Sequence, residues 1–544
     1  MKVSALKNQP PSSVAVKGII TQSGKKWFRV RFEEYEAWLP RSDFAGRGHR
    51  AMEKLAAREI VFIGSKAWSD FMIQVIAINR FHKRKLIEQP GWTGCVFALP
   101  NGQVFSPSQK SRTITVFEPD HEKCIRAGTL DGWLNEVAHP LTGQNIAIFL
   151  LMLAFVPPLL KIIRRSGNFG VEIVGPKGSG KTFLLHLMSS AIGGAVEGDE
   201  PSYWVRFNTT VNAIEDLAEA HSDLPLILDD ATSFAAESGP VNKGQRLFAA
   251  VFGLAQSQGK FRKGEKRPQS FRTIYAVTSN RTLADVIAAI DREEAEAAGD
   301  RLLTLNLNLC DNRNFDFIPA DFADGTAFSR FLTSGMACQH GTAMPQFLQK
   351  LVDHRYADET KLREGIQLRI DELLRELRLD PNDGSQMRQA ESFGLALAAG
   401  QLAQHYGALP KEYDCQAAAI ACYHLFRAST NRLSHIERLY ELATNPGVID
   451  LDARAKKYAS DKELRLATGF FRSTKNGRRE FMVHPKTLRT VIPDDERFLC
   501  DKDVAKTLGR DGRHNTKRRR LVQGGERIRV HCFVLPLYKA TVGN

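Results

Sequence analysis

At 544 residues the chain exceeds what one hydrophobic core supports, and at roughly 150 residues per domain it predicts three or four domains. A net charge of +14 and a pI near 9.4 point to an anionic partner, nucleic acid first. Eight scattered cysteines without a Cys-x-x-Cys pair argue against a disulfide framework or zinc ribbon and fit a cytoplasmic protein.

Met1–Ser13 is polar and lacks the pattern of a secretory signal. Residues 1–125 read as a β-rich domain, with strands expected at Val14–Ile20, Trp27–Phe32, Ile60–Ile63 and Phe71–Ile78. Asn101-Gly102 is a hairpin signal. Trp27, Trp38 and Trp68 would serve core packing, or base stacking if this region is a nucleic-acid-binding barrel.

Residues 126–326 read as an α/β core, because apolar strands alternate with helical patterns there, the mark of a parallel sheet. Ile146–Leu160 is the most apolar stretch. It falls short of the ~20 residues a bilayer needs and carries Pro157-Pro158, so a buried helix and no membrane span are expected. Next, Val171–Val174 reads as a strand and Phe183 onward as a helix. Between them Gly175-Pro176-Lys177-Gly178-Ser179-Gly180-Lys181-Thr182 fits the phosphate-loop pattern G-x-x-x-x-G-K-[ST]. The glycines let successive N–H groups face one phosphate chain, and the helix start adds its positive dipole end. Lys181 would reach the terminal phosphates of ATP, and Thr182 would hold Mg²⁺.

The strand Leu224–Leu228 ends in Asp229-Asp230. Asp229 would bind the Mg²⁺ shell and Asp230 would orient the attacking water; the plain alternative is a strand followed by a capping aspartate. Phe271–Asn280 reads as another central strand, placing Asn280, or Thr278, beside the γ-phosphate as a sensor. Arg301, at the entrance to the strand Leu302–Leu307, is either an arginine finger acting on a neighbouring subunit or half of a surface pair with Asp300. Between these strands Lys260, Arg262, Lys263, Lys266 and Arg267 crowd one Gly/Pro-bounded loop. Such a loop can grip a nucleic-acid backbone without reading sequence; the alternatives are a solvated basic loop, or one whose Lys260 and Arg262 face a neighbouring subunit's nucleotide. Residues 327–445 read as a helical domain. Residues 446–544 read as a basic α+β domain, in which the turn Lys517–Arg520 is either a solvated charge run or part of a winged helix docking on a duplex.

Leu228-Asp229-Asp230-Ala231-Thr232, Thr278-Ser279-Asn280 and Asp300-Arg301-Leu302 together resemble superfamily-three viral replicative helicases. Those are P-loop AAA+ hexamers whose Walker B segment also ends in two aspartates, and a loop at the position of Lys260–Arg267 lines their pore. Over nearly its whole length the chain also resembles the helicase-like domain-of-unknown-function family 927 of phages, plasmids and mobile elements. The carrying segments are Gly91-Trp92-Thr93-Gly94, Gly128–Trp133, the loop 175–182, Asn208–Ala218, Gly259–Arg262, His340–Ala343 and Arg527–Val530. Asp230 stands where that family usually has Glu. The resemblance implies a ring-forming ATPase, a hexamer as in the helicases, that translocates on DNA. An ATP-operated assembly switch without unwinding activity is the other reading.

Overall fold

The structure is a computed structural model. It describes residues 14–535 apart from 22–23, 108–112, 118–119, 121, 166, 196–201, 208–210, 232–239, 258–270, 289–297, 313, 380, 431–438, 440–441, 444–446, 453–466, 475–477, 493–494, 501, 510–514 and 522–526. Packing divides the chain into two compact units, Met1–Thr430 and Asn431–Asn544. The loop carrying Lys260, Arg262, Lys263, Lys266 and Arg267 lies outside the described residues.

The first unit opens with β1 (Ala15–Ile20), β2 (Lys26–Phe32) and β3 (Tyr35–Pro40), then α1 (His49–Ala56), α2 (Ser65–Ala77) and β4 (Phe81–Lys83). These form an open sheet of order β3-β2-β1-β4, backed by the two helices. The strand expected over Phe71–Ile78 is helix α2, and Ile60–Ile63 is no strand either. Phe71, Met72 and Val75 are buried while Ile73 and Ile76 stand 65% and 54% exposed, which is helical spacing and not alternation. Trp68 packs on Phe62 and Phe71 within this core. Short pairings follow: β5 (Lys85–Ile87) with β9 (Thr113–Thr115), and the meander β6 (Gly91–Thr93), β7 (Val96–Ala98), β8 (Val104–Phe105). The Asn101-Gly102 signal falls in the turn between β7 and β8, where Gly102 N–H donates to Leu99 O at 2.9 Å.

After α3 (Leu130–Trp133), the apolar stretch forms α4 (Asn145–Ala154) and α5 (Pro157–Ile162), broken where the two prolines start a new helix. Then come β10 (Phe169–Val174), α6 (Lys181–Ser190), β11 (Val205–Arg206), α7 (Val211–Ala220) and β12 (Leu226–Asp229). They continue with α8 (Pro240–Ala255), β13 (Ile274–Ser279), α9 (Leu283–Ala288) and β14 (Leu302–Asn306). All five strands are parallel, in the order β11-β12-β13-β10-β14. The first strand of the series therefore sits between the last two, so the strand order reverses beside β10.

Side chains alternate across this sheet. Val171, Ile173, Ile227, Ile274, Ala276, Leu303 and Leu305 turn to one face. Leu226, Leu228, Tyr275, Val277 and Leu302 turn to the other, into a core shared with α7, α8 and α9. The first face packs on α4 and α6 and on the helices that follow: α10 (Gly325–Cys338), α11 (Ala343–Glu376), α12 (Gly384–His405) and α13 (Cys415–Thr430). These helices share one core with the sheet, so the described residues show no separate core for the helical segment.

The second unit holds β15 (Val448–Asp450), β16 (Gly469–Ser473), β17 (Arg479–Val483), α14 (Pro485–Val491), α15 (Asp495–Cys500) and α16 (Lys502–Thr507). It ends with β18 (Leu508–Gly509), β19 (Lys517–Arg520) and β20 (Arg527–Leu535). The sheet order is β15-β16-β17-β20-β18, with β19 also on β20. The basic run Lys517–Arg520, expected as a turn, is a strand: its residues alternate half-buried and exposed against β20.

Candidate nucleotide site

Loop 175–182 joins the carboxyl end of β10 to the start of α6, at the point where the strand order reverses; ligands of open α/β sheets bind at such a place. Gly178 and Gly180 have φ of 80° and 85°. At Gly180 a side chain is doubly barred, since a Cβ there would lie 2.6 Å from the carboxamide of Asn314. Among the described residues, buried Ser179 Oγ and Asn314 Nδ2 have no hydrogen-bond partner, so two polar atoms beside this loop lack one there.

Lys181 Nζ donates to Gly175 O (2.7 Å), Pro176 O (2.9 Å) and Asn280 Oδ1 (3.1 Å). Partial burial lowers its pKa, against the opposing pull of Asp229 and Asp230. Thr182 Oγ1 donates to both carboxylate oxygens of Asp229, at 3.2 and 3.1 Å. Thr278 Oγ1 donates to Asp229 Oδ1 and accepts the Asp230 N–H at 2.9 Å. Asp230 itself adopts φ of 58°, and Ala231 N–H bonds Thr278 O at 2.8 Å. The two acids thus leave the strand through a tight bend held by Thr278, which leaves Asp230 exposed.

Thr278 and Asn280, two apart on and just beyond β13, take different partners: Thr278 holds the aspartates and Asn280 meets Lys181. The structure therefore brings together Lys181, Thr182, Asp229, Asp230, Thr278 and Asn280. Pro176 and Lys177 are exposed on the outer side of the loop.

Arg301 is placed elsewhere. Its carbonyl accepts from Gly170 N–H at 2.8 Å, level with the beginning of β10. It therefore lies about 17 Å, five residues of strand rise, from the loop end of the sheet. Its guanidinium sits 4.5 Å over the Phe252 ring. Asp300 bonds Ser385 (2.8 Å) and Gln389 (3.3 Å).

Sequence reading passed over Glu172. It is fully buried in the middle of β10, with Oε1 accepting from Ser279 Oγ (2.8 Å) and Leu283 N–H (2.7 Å), and Oε2 accepting from Thr304 Oγ1 (3.2 Å). It ties β10, β13, β14 and the start of α9 together directly behind Ser279-Asn280. Burial pushes its pKa up to about 7, although the three hydrogen bonds pull the other way. A lone acid inside a strand buried on both faces was the available signal.

A hydroxyl and a carboxylate side by side, Thr182 and Asp229, suit a hard cation that keeps most of its waters. Among the described residues no group of three or more His, Cys, Asp or Glu could hold a metal unaided. No helix among them is long and apolar enough to cross a membrane.

Comparison with solved structures finds one described as "SCCmec type IV Cch - active helicase". It is 14% identical with a TM-score of 0.57, covering 89% of this chain and 86% of that one. At that identity the likeness establishes a shared fold. A second, the apo NrS-1 C-terminal region, is 8% identical with a TM-score of 0.22, over 72% of this chain and 88% of that one. That score supports no argument. No curated protein matches. Residues 20–268 match the family profile "Domain of unknown function (DUF927)". Over those residues the chain is similar to that family, and its mixed α/β fold is shared with the structure described as a helicase.

Proposed function

We propose that the protein is a ring-forming ATPase, a hexamer, that translocates on DNA as a replicative helicase of a mobile element. The observation that carries this reading is the convergence of Lys181, Thr182, Asp229, Thr278 and Asn280 around a G-x-x-x-x-G-K-[ST] loop at the sheet's switch point. The fold shared with Cch, described as an active helicase, supports it.

Loop N–H groups from Lys177 to Thr182 and the first turn of α6 would cradle the β-phosphate. Lys181, now satisfied by two loop carbonyls and Asn280, would exchange these for phosphate oxygens. Thr182 and Asp229 are the residues to hold Mg²⁺, which when bound neutralises charge developing on the phosphates. Asp230, bent out of the strand, would accept a hydrogen bond from the attacking water. Asn280 would report the γ-phosphate to β13, and through Ser279 and Glu172 to β14. Arg301 cannot reach this loop in its own subunit, so its part would be played on a neighbour's nucleotide. The basic residues Lys260, Arg262, Lys263, Lys266 and Arg267 would contact the DNA backbone in the pore.

Phosphate release measured with and without single-stranded oligonucleotide tests the proposal. Stimulation by DNA is expected, together with loss of strand displacement in Lys263→Ala/Lys266→Ala while nucleotide binding survives. Turnover indifferent to DNA would favour an ATP-operated assembly switch instead.

A further inference from the structure

The last strands of the second unit bring four arginines onto one face. β19 pairs antiparallel with β20 in the register Arg518↔Arg529 and Arg520↔Arg527. Residues directly opposite in a ladder share a face, as do residues two apart along a strand. All four side chains therefore leave the ribbon on the same side, and all four are exposed. Lys517, Arg519, Ile528 and Val530 take the other side. There Arg519 is held by Glu480 at 3.1 and 3.2 Å, and Val530 is buried.

The outer face has no such compensation. Among the described residues none of its four arginines has a carboxylate partner. Like charges opposite one another in a ladder repel and destabilise it. An anion laid across the face would relieve that cost. The ribbon also runs beyond its neighbour: β17 pairs with His531–Leu535, whereas Arg527–Val530 pair with β19. Arg518 and Arg520 stand about 7 Å apart along the strand, and opposite residues about 5 Å apart. A two-stranded ribbon fits the major groove of a duplex. These four ladder positions hold no aromatic side chain, which a single-strand platform would use for stacking.

We infer that Arg518, Arg520, Arg527 and Arg529 form a grip for the phosphate backbone of duplex DNA, separate from the nucleotide site. The test is fluorescence anisotropy of a labelled duplex, and of its single strand, with the full chain across a salt series and without nucleotide. R518Q/R520Q/R527Q/R529Q is expected to lower the slope of log affinity against log salt by about 3.6, near 0.9 for each phosphate left without its arginine. Each half, R518Q/R520Q or R527Q/R529Q, should produce about half of that drop. The four Arg→Lys replacements should keep the slope, and K181A should bind duplex like wild type. Removing the repulsion predicts that the glutamine variant melts no lower than wild type, which separates weakened binding from impaired folding. An unchanged duplex slope in the quadruple glutamine variant overturns the inference, as does a weakening confined to single strand. Failure of ATP turnover would leave it standing, because duplex binding is read without nucleotide.

Discussion

Glu172 is the residue whose chemistry is most exposed to test. Its carboxyl is raised from 4.5 to about 7, so the folded chain keeps a proton that the unfolded chain has released. Stability should therefore fall as pH rises from about 4.5 to about 7 and then level off, since the native state binds more protons in that window. Glu172→Gln keeps the shape, with the amide oxygen accepting from Ser279 and Leu283 and the amide N–H donating to Thr304 Oγ1. The variant's advantage over wild type in urea unfolding should grow from near zero at pH 4.5 to roughly 3 kcal/mol at pH 8. A pH-independent offset would contradict this account of Glu172. Arg301→Ala should bind nucleotide normally and hydrolyse it on the order of 10³-fold more slowly, the size of an arginine-finger effect. Normal hydrolysis would reduce Arg301 to a cation resting on Phe252.

At the scale of elements, two of the segments that carry the family resemblance brace the helix that bears Lys181 and Thr182. Trp133 Nε1 donates to Ser190 Oγ at 3.0 Å, and Gly341 N–H donates to Ser190 O at 2.8 Å, so both meet the far end of α6. Gln339 joins them by accepting from Thr129 N–H (3.0 Å) and donating to Glu136 (2.9 Å). Gly128, at φ of 67°, leaves room for it, because a Cβ there would lie 1.8 Å from Gln339 Oε1 and 2.8 Å from Cys338 O. Gly128→Ala should therefore cost about 1–3 kcal/mol, read as a lower melting temperature. An unchanged melting temperature would remove this bracing role. The third segment, Gly91–Gly94, is equally structural: Trp92 N–H bonds Asp223 Oδ2 at 2.9 Å, Trp92 Nε1 bonds Pro158 O at 2.8 Å, and Arg355 lies 4.3 Å over its ring. These interactions join residues far apart in sequence, so the motifs could be noticed in the chain but their purpose could not. The same limit applies to α2. Its run of β-branched residues mimics a strand, and only packing against β2 and β3 shows which residues turn inward. The glycine loop and Ile146–Leu160 were legible because their signals are local: one is a fixed pattern, the other a long apolar stretch cut by prolines.

For the whole molecule, the parallel sheet could be read from alternating strands and helices, but its strand order could not. That order places β10 between β13 and β14 and so puts Asn280 against Lys181. Because β14 runs parallel to β10, Arg301 at its start lies at the end of the sheet away from loop 175–182. The proposal of a shared site rests on that separation. Mixing Arg301→Ala chains with Asp230→Asn chains should restore turnover that neither has alone, because some seams then pair an intact acid with an intact arginine. The central claim is that the loop 175–182 and Asp229-Asp230 form an ATP-hydrolysing site. Its most direct measurement is phosphate release from Mg²⁺·ATP by wild type and Asp230→Asn, with nucleotide binding followed in parallel. The account predicts turnover by wild type and none by Asp230→Asn, with both binding ATP; equal turnover by the two proteins, or none by wild type, would contradict it.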